Sequence, residues 1–317
     1  MRILVTGAAG QIGSELVPEL RRRYGAENVV AAFHRAPLPP TIRDSGPCVR
    51  LDVMERSSIM EAVITHRIEV VYHLAAILSA RGEKDPQLTW RVNTEGLYNV
   101  LEVAREHGVT RIFWPSSIAV FGPKTPKDTA PQDTVLSPTT MYGVTKVAGE
   151  LLCDYYHRRY GMDIRCLRFP GIISAETLPG GGTTDYAVEM FYAAVRGETY
   201  RCFVRPDTVL PMLYMPDCLN AILGIMEAES AKLRHRVYNI GGVSFSAAEL
   251  AAEIERHIPG FRVEYAPDFR QEIADSWPRS MDDTPAREDW GWSPVYDLPR
   301  MVEDMLRRLE EKKKKQC

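Results

Sequence analysis

Ile3-Leu4-Val5-Thr6-Gly7-Ala8-Ala9-Gly10-Gln11-Ile12-Gly13 joins an apolar, strand-like run to a helical pattern through three glycines at a three-residue spacing. The three glycines do different things. Gly7 permits a tight turn, Gly10 leaves the backbone open to a close-lying ligand, and Gly13 lets the helix pack tightly on the strand. The start of the helix then offers N–H groups and a partial positive charge to an anion such as a pyrophosphate. Turns before helices often carry glycines for structural reasons alone. Here the turn is the first of a chain that goes on alternating strands and helices, and that position favours a dinucleotide cradle.

Beyond this turn, β-branched apolar runs recur at residues 29–31, 48–51, 70–72, 111–113 and 164–167, making six strands with residues 3–5. Helix-period stretches at 12–24, 57–66, 86–107 and 141–160 separate them. This βαβ rhythm predicts an α/β fold, a doubly wound parallel sheet of the Rossmann kind, with the last two helices on one face. After Pro170 the rhythm breaks at Pro179-Gly180-Gly181-Gly182. The expected division is a dinucleotide-binding core over 1–170, to which 209–240 returns, and a smaller C-terminal substrate-binding lobe over 171–208 and 241–317.

The composition suits a globular enzyme of 317 residues: 45% hydrophobic, 26% charged, with a formal net charge of -3. That balance points to neither nucleic acid nor an anionic membrane as a partner. The opening apolar run is too brief for a signal peptide, and no segment approaches the roughly 20 apolar residues of a membrane helix. Six cysteines without CxxC pairing suggest no metal site and no disulfide framework, but reduced thiols in a cytoplasmic protein. Lys312-Lys313-Lys314-Lys315 reads as a solvated, frayed helix end.

Two further pieces suit a dinucleotide. Asp52, followed by Val53, ends the third strand with a carboxylate able to accept an adenine amino group, and Leu74-Ala75-Ala76 after the fourth lets a ligand pass close to backbone. The second strand ends differently from most NAD sites. Phe33 stands where an acid would bind the ribose hydroxyls, and Arg35 follows two residues on, so NAD is expected but NADP is not excluded. Arg35 either meets a 2′-phosphate, stacks on adenine or points to solvent.

Tyr142-Gly143-Val144-Thr145-Lys146 puts a phenol and an ammonium on one helix face, and Ser117 ends the preceding strand. Oxidising an alcohol needs a base, and free tyrosine, with a pKa of about 10, is too weakly ionised near neutrality. A nearby ammonium and a positive nicotinamide ring favour the phenolate. A Tyr one turn before a Lys is commonly only a surface pair. The glycine turn and Ser117 are independent signals that favour catalysis.

TGAAGQIG, HLAA, RVNTEGLYNVLE, SSIAVFGP and YGVTK together resemble the extended short-chain dehydrogenase and sugar-nucleotide epimerase superfamily, over residues 1 to about 170. The resemblance implies catalytic roles for Ser117, Tyr142 and Lys146 and a cofactor-side role for Asn93. The candidate cofactor set is Gly7, Gly10, Gln11, Ile12, Gly13, Arg35, Asp52, Val53, Leu74, Ala75, Ala76, Asn93, Tyr142, Lys146 and Pro170. Within the superfamily, LRFPGIIS, GGGTTDYAVEMFYAAV, LPMLYMPDCLNAI and SWPRSMDDTPAREDWGW resemble the short-chain L-threonine 3-dehydrogenases.

That second resemblance implies oxidation of L-threonine at C3 to 2-amino-3-oxobutanoate with hydride transfer to NAD, in the breakdown of threonine to glycine. Ser79, Gly182, Thr184 and Trp277 would contact the substrate. Plainer readings stand beside these: Ser79 and Thr184 as helix caps, Trp277 as packing between lobes. Thr183 and Thr184 could hold the carboxylate, and no residue is assigned to the ammonium. The long helices 86–107 and 141–160 resemble those that pair two subunits in this family, so a homodimer is expected. The alternatives are a nucleotide-sugar 4-epimerase or related extended short-chain dehydrogenase, and, in another class, a non-catalytic dinucleotide-binding regulator. The segment Arg168-Phe169-Pro170-Gly171, in place of an Asn-Val-Tyr-Gly-Pro type, speaks against the epimerase.

Overall fold

Strand β1 (Ile3–Thr6) is buried along its whole length and runs through the glycine turn into α1 (Gln11–Tyr24). The computed structural model describes residues 1–178 and 180–316. Pro179, Cys317 and the side chains of Lys315 and Gln316 lie outside the described residues. The alternation continues with β2 (Val29–Phe33), β3 (Cys48–Arg50), α2 (Arg56–His66) and β4 (Val70–His73). Helix α3 follows, built from Pro86–Trp90, a π-helical turn Arg91–Glu95 and Gly96–Glu106, and then β5 (Arg111–Ser117), α4 (Met141–Tyr160) and β6 (Asp163–Phe169).

The sheet order is β10-β6-β5-β4-β1-β2-β3, every neighbour parallel, where β10 is Val237–Asn239. Order reverses beside β1, which puts the crevice for a ligand at the carboxyl ends of the central strands. The six expected strands are all present, and β10 makes a seventh. Its three residues are too short a run to be read from periodicity, and it is held by its register on β6, Tyr238 opposite Leu167.

Both faces of the sheet are covered, as parallel strands require. On one face α2, α3 and α4 enclose Val63, Leu97, Val100, Leu101, Cys153 and Tyr156 against Leu4, Val71, Ile112 and Trp114. On the other, α1 and a helix from the second half, Met215–Glu227, enclose Leu16, Val17, Leu20, Cys218, Ala221 and Ile222 against Val5, Tyr72 and Phe113.

The rest of the chain forms β7 (Gly171–Ile173), α5 (Tyr186–Arg196), β8 (Tyr200–Cys202), β9 (Val209–Tyr214), α6 (Met215–Glu227), β10 as given, β11 (Val243–Ser246), α7 (Ala247–His257), β12 (Val263–Tyr265), α8 (Arg270–Ser276), α9 (Thr284–Trp290) and α10 (Leu298–Gln316). A small sheet β11-β9-β7 and the pair β12-β8 carry α5, α7 and α10 around Phe191, Leu250, Ile254, Met301 and Met305. This core also contains Ile118, Tyr142 and Trp277. The second lobe is therefore packed directly on the strand and helix that carry the Ser-Tyr-Lys trio.

Within the lysine run, Lys312 and Lys313 depart from the expected frayed state. Lys312 Nζ donates to Ala175 O at 2.7 Å and pairs with Glu176 at 2.7 Å, and Lys313 Nζ donates to Val195 O at 2.9 Å. These carbonyls lie at the end of a helix and in a loop, where cations are favoured partners.

Candidate active site

The glycine turn is fixed by steric demand. Gly7 has φ +70, and a Cβ there would stand 2.8 Å from Ala75 N. A Cβ on Gly13 would stand 2.4 Å from Gly7 O, so α1 starts as close to the turn as backbone permits. Gly10 N donates to Gly7 O at 2.9 Å. No side chain caps α1 and its first turn carries no acid, which leaves its positive end to a ligand. Below the turn, Thr6 Oγ1 meets His73 Nδ1 at 2.8 Å and accepts from Ala75 N at 3.3 Å, tying β1 to the loop after β4. Burial drives the His73 pKa down to about 3, helped by the charge of Lys146, so the imidazole is neutral.

Thr140 caps α4 through the Gly143 amide, 3.1 Å away, and presents Tyr142 in the first turn and Lys146 in the next. Both side chains are buried. Lys146 Nζ donates to Pro115 O at 2.5 Å and lies 4.4 Å from the Trp114 ring centre and 5.4 Å from that of Tyr142. Burial lowers its pKa to about 8. Burial likewise pushes Tyr142 up to about 12, and a hydrogen bond with Ser117 pulls the other way. In the polypeptide alone, desolvation outweighs the expected effect of Lys146 on the phenol. Ser117 itself ends β5, where its Oγ accepts from Ala119 N at 3.2 Å.

These groups open into one cleft of about 1040 Å³, counted to its open mouth. One wall is the turn, with Gly7, Gly10, Gln11, Ile12, Gly13, Leu74 and Ala76. The same cleft is lined by Ser117, Tyr142, Lys146 and Pro170, and by Ser79, Gly182, Thr183, Thr184, Asp185 and Trp277. The uncapped helix end, the neutral small residues after β4 and the backbone-tight turn fit a dinucleotide.

Five of the candidate cofactor residues do not line this cleft. Ala75 has its backbone against Gly7. Asn93 is buried behind the site, its Oδ1 accepting from Ile77 N at 2.8 Å and its Nδ2 donating to Ile77 O at 3.0 Å and to Thr145 Oγ1 at 3.1 Å. It thus clamps the loop after β4 to α4. Val53 packs against Gly96. Asp52 and Arg35 stand beyond the cleft at the ends of β3 and β2. Asp52 Oδ1 accepts from Met54 N at 3.0 Å, and its Oδ2 is 3.2 Å from His34 Nε2.

At the substrate end, Ser79 is buried, its Oγ 3.1 Å from Thr183 Oγ1 and 3.2 Å from the Thr183 amide that donates to it. Trp277 both lines the cleft and belongs to the second core. One residue of the cleft is not evident from the sequence. Asp185, beside Thr184, is half-buried, and its Oδ2 accepts from Gly181 N and Gly182 N at 2.8 and 2.7 Å. Burial outweighs those two bonds and lifts its pKa to about 6, with Glu189 adding to the rise and Arg270 opposing it. An acid just before a helix reads as an ordinary cap, which hides it. Its place after two threonines in a glycine-rich loop is the signal that could have found it.

The family model for the NAD dependent epimerase/dehydratase family matches residues 3–241. The bovine protein named L-threonine 3-dehydrogenase, mitochondrial (Bos taurus) is 48% identical over 306 residues, spanning 96% of this chain and 82% of its own length. Among solved structures, a GalE-like L-threonine dehydrogenase from Cupriavidus necator in holo form superposes with a TM-score of 0.95 at 51% identity, covering 98% of this chain and 100% of the other. A monomeric L-threonine 3-dehydrogenase of metagenomic source superposes with a TM-score of 0.94 at 47% identity, covering 98% and 99%.

Proposed function

This chain belongs to the NAD dependent epimerase/dehydratase family, and within it we propose that the protein is an L-threonine 3-dehydrogenase. It removes hydride from C3 of L-threonine and the proton from the C3 hydroxyl, leaving 2-amino-3-oxobutanoate. The observation that carries this reading is a cleft lined together by the glycine turn, by Ser117, Tyr142 and Lys146, and by Ser79, Thr183, Thr184 and Asp185.

When bound, NAD supplies the hydride acceptor and a positive ring that favours the phenolate of Tyr142. Tyr142 takes the hydroxyl proton while Ser117 holds the hydroxyl oxygen, and the ammonium of Lys146 lies one helical turn away. The turn Gly7, Gly10 and Gly13, with the amides that begin α1, would hold the pyrophosphate, and Leu74, Ala76 and Pro170, which line the same cleft, would contact the rest of the dinucleotide. Thr184 binds the substrate carboxylate, with Ser79 fixing Thr183 beside it, while the Gly182 amide holds Asp185 and Trp277 lines the same cleft.

Asp185 accepts the ammonium. Its raised pKa means the bare carboxylate is held at a cost of at most about 3 kcal/mol, a penalty that a substrate cation removes and a neutral alcohol does not.

Two copies pair through α3 and α4, which lie side by side and expose Trp90, Tyr98, Leu151 and Tyr155. Among the described residues no helix is long and apolar enough to cross a membrane, and the five described cysteines are free thiols, which suits the cytoplasm. Replacing the base tests the assignment: Tyr142→Phe should lower threonine-dependent turnover by about 10²-fold or more while leaving NAD binding intact. Near-normal turnover in this variant across the pH range would show that another group takes the proton.

A further inference from the structure

The end of β2 is where this cleft departs from an ordinary NAD site. Such a site closes its second strand with a carboxylate that accepts hydrogen bonds from the ribose hydroxyls and repels a 2′-phosphate. Here β2 ends in Phe33, followed by His34 and Arg35. Phe33 packs on the apolar cluster that holds Ala9, Ile12 and Leu38, so it offers the ribose neither an acceptor nor a negative charge. The strand is nevertheless in its usual place. The Ala8 amide of the glycine turn donates to Ala32 O at 3.1 Å, and the Leu51 amide donates to Phe33 O at 2.8 Å. Residues 34 and 35 therefore begin the loop at the adenosine end of the cradle.

The charges there suit an added anion. Asp52 is engaged at both oxygens, by the Met54 amide at 3.0 Å and by His34 Nε2 at 3.2 Å. Arg35 is exposed and enters no ion pair among the described residues. A guanidinium is a planar fork that matches phosphate oxygens two at a time. We propose that this chain takes a dinucleotide carrying a 2′-phosphate, NADP as well as NAD, with Arg35 as the phosphate ligand. The proposal rests on the reading of the cleft as a dinucleotide site.

Titration calorimetry with adenosine 2′,5′-bisphosphate and with 5′-AMP, which differ only in the 2′-phosphate, reads this without turnover. The unaltered protein should bind the bisphosphate at least as tightly as AMP. Arg35→Ala should weaken the bisphosphate about tenfold and move AMP by less than about threefold, and Phe33→Asp should weaken the bisphosphate further while tightening AMP. If AMP binds the unaltered protein about tenfold more tightly than the bisphosphate, or Arg35→Ala weakens both fragments alike, the proposal is overturned and the dinucleotide site stands. Failure of both fragments and of NAD itself to bind overturns the two together.

Discussion

Asp185 carries the sharpest consequence at the level of single residues. Its folded pKa of about 6 lies above the unfolded value of 3.8, so between those values the folded protein holds a proton that the unfolded chain has released. Its contribution to stability is therefore present below about pH 4 and is lost as pH rises through about 6. Binding of an ammonium has the opposite dependence, because only the carboxylate attracts it. We expect kcat/KM for L-threonine to fall by about tenfold per unit below about pH 6, and Asp185→Asn to remove that limb and lower kcat/KM by about 10²-fold. An unchanged acid limb in Asp185→Asn would assign the ammonium to another group. The pairing of Tyr142 with Lys146 was legible in the sequence because a four-residue spacing fixes a helix face whatever surrounds it. What surrounds it was not legible: the carbonyl of Pro115 under Lys146 and the desolvation of Tyr142 come from residues distant in sequence.

Among the elements, the strands and helices of the first half were readable because each is buried on a regular face. Two departures have physical causes. Helix 86–107 contains the π-helical turn Arg91–Glu95, and that wide turn holds Asn93, whose amide clamps Ile77 and Thr145. A periodicity of apolar residues carries no trace of such an insertion. Strand β10 is three residues long and gains its place from Arg168, which donates to Asn239 Oδ1 at 3.1 Å, and from Gln132, which accepts from Asn239 N at 2.8 Å. The outer surfaces of α3 and α4 support a prediction of their own. Leu151 is 65% exposed and Tyr155 54%, a large apolar exposure for a helix that is otherwise packed. If two copies pair there, Leu151→Asp should convert a two-chain species into a one-chain species in sedimentation without unfolding it. A single chain already present in the unaltered protein would refute the pairing.

Across the molecule as a whole, the second half does more than add a lobe. It returns α6 and β10 to the central sheet, sends α10 back so that Lys312 reaches Ala175, and packs Trp277 in the same core as Tyr142. The sequence beyond Pro170 lacks a single period because its elements serve two cores in turn. This arrangement brings the glycine turn, the Ser117, Tyr142 and Lys146 trio and the polar residues Ser79, Thr183, Thr184 and Asp185 into one cleft. Near-ultraviolet absorbance of reduced nicotinamide, followed with purified protein, NAD and L-threonine, puts that cleft to its plainest trial. Steady NADH formation should appear that depends on L-threonine and is absent with 2-butanol. Tight NAD binding with no reduction by threonine, or interconversion of UDP-glucose and UDP-galactose by the same protein, would contradict the assignment.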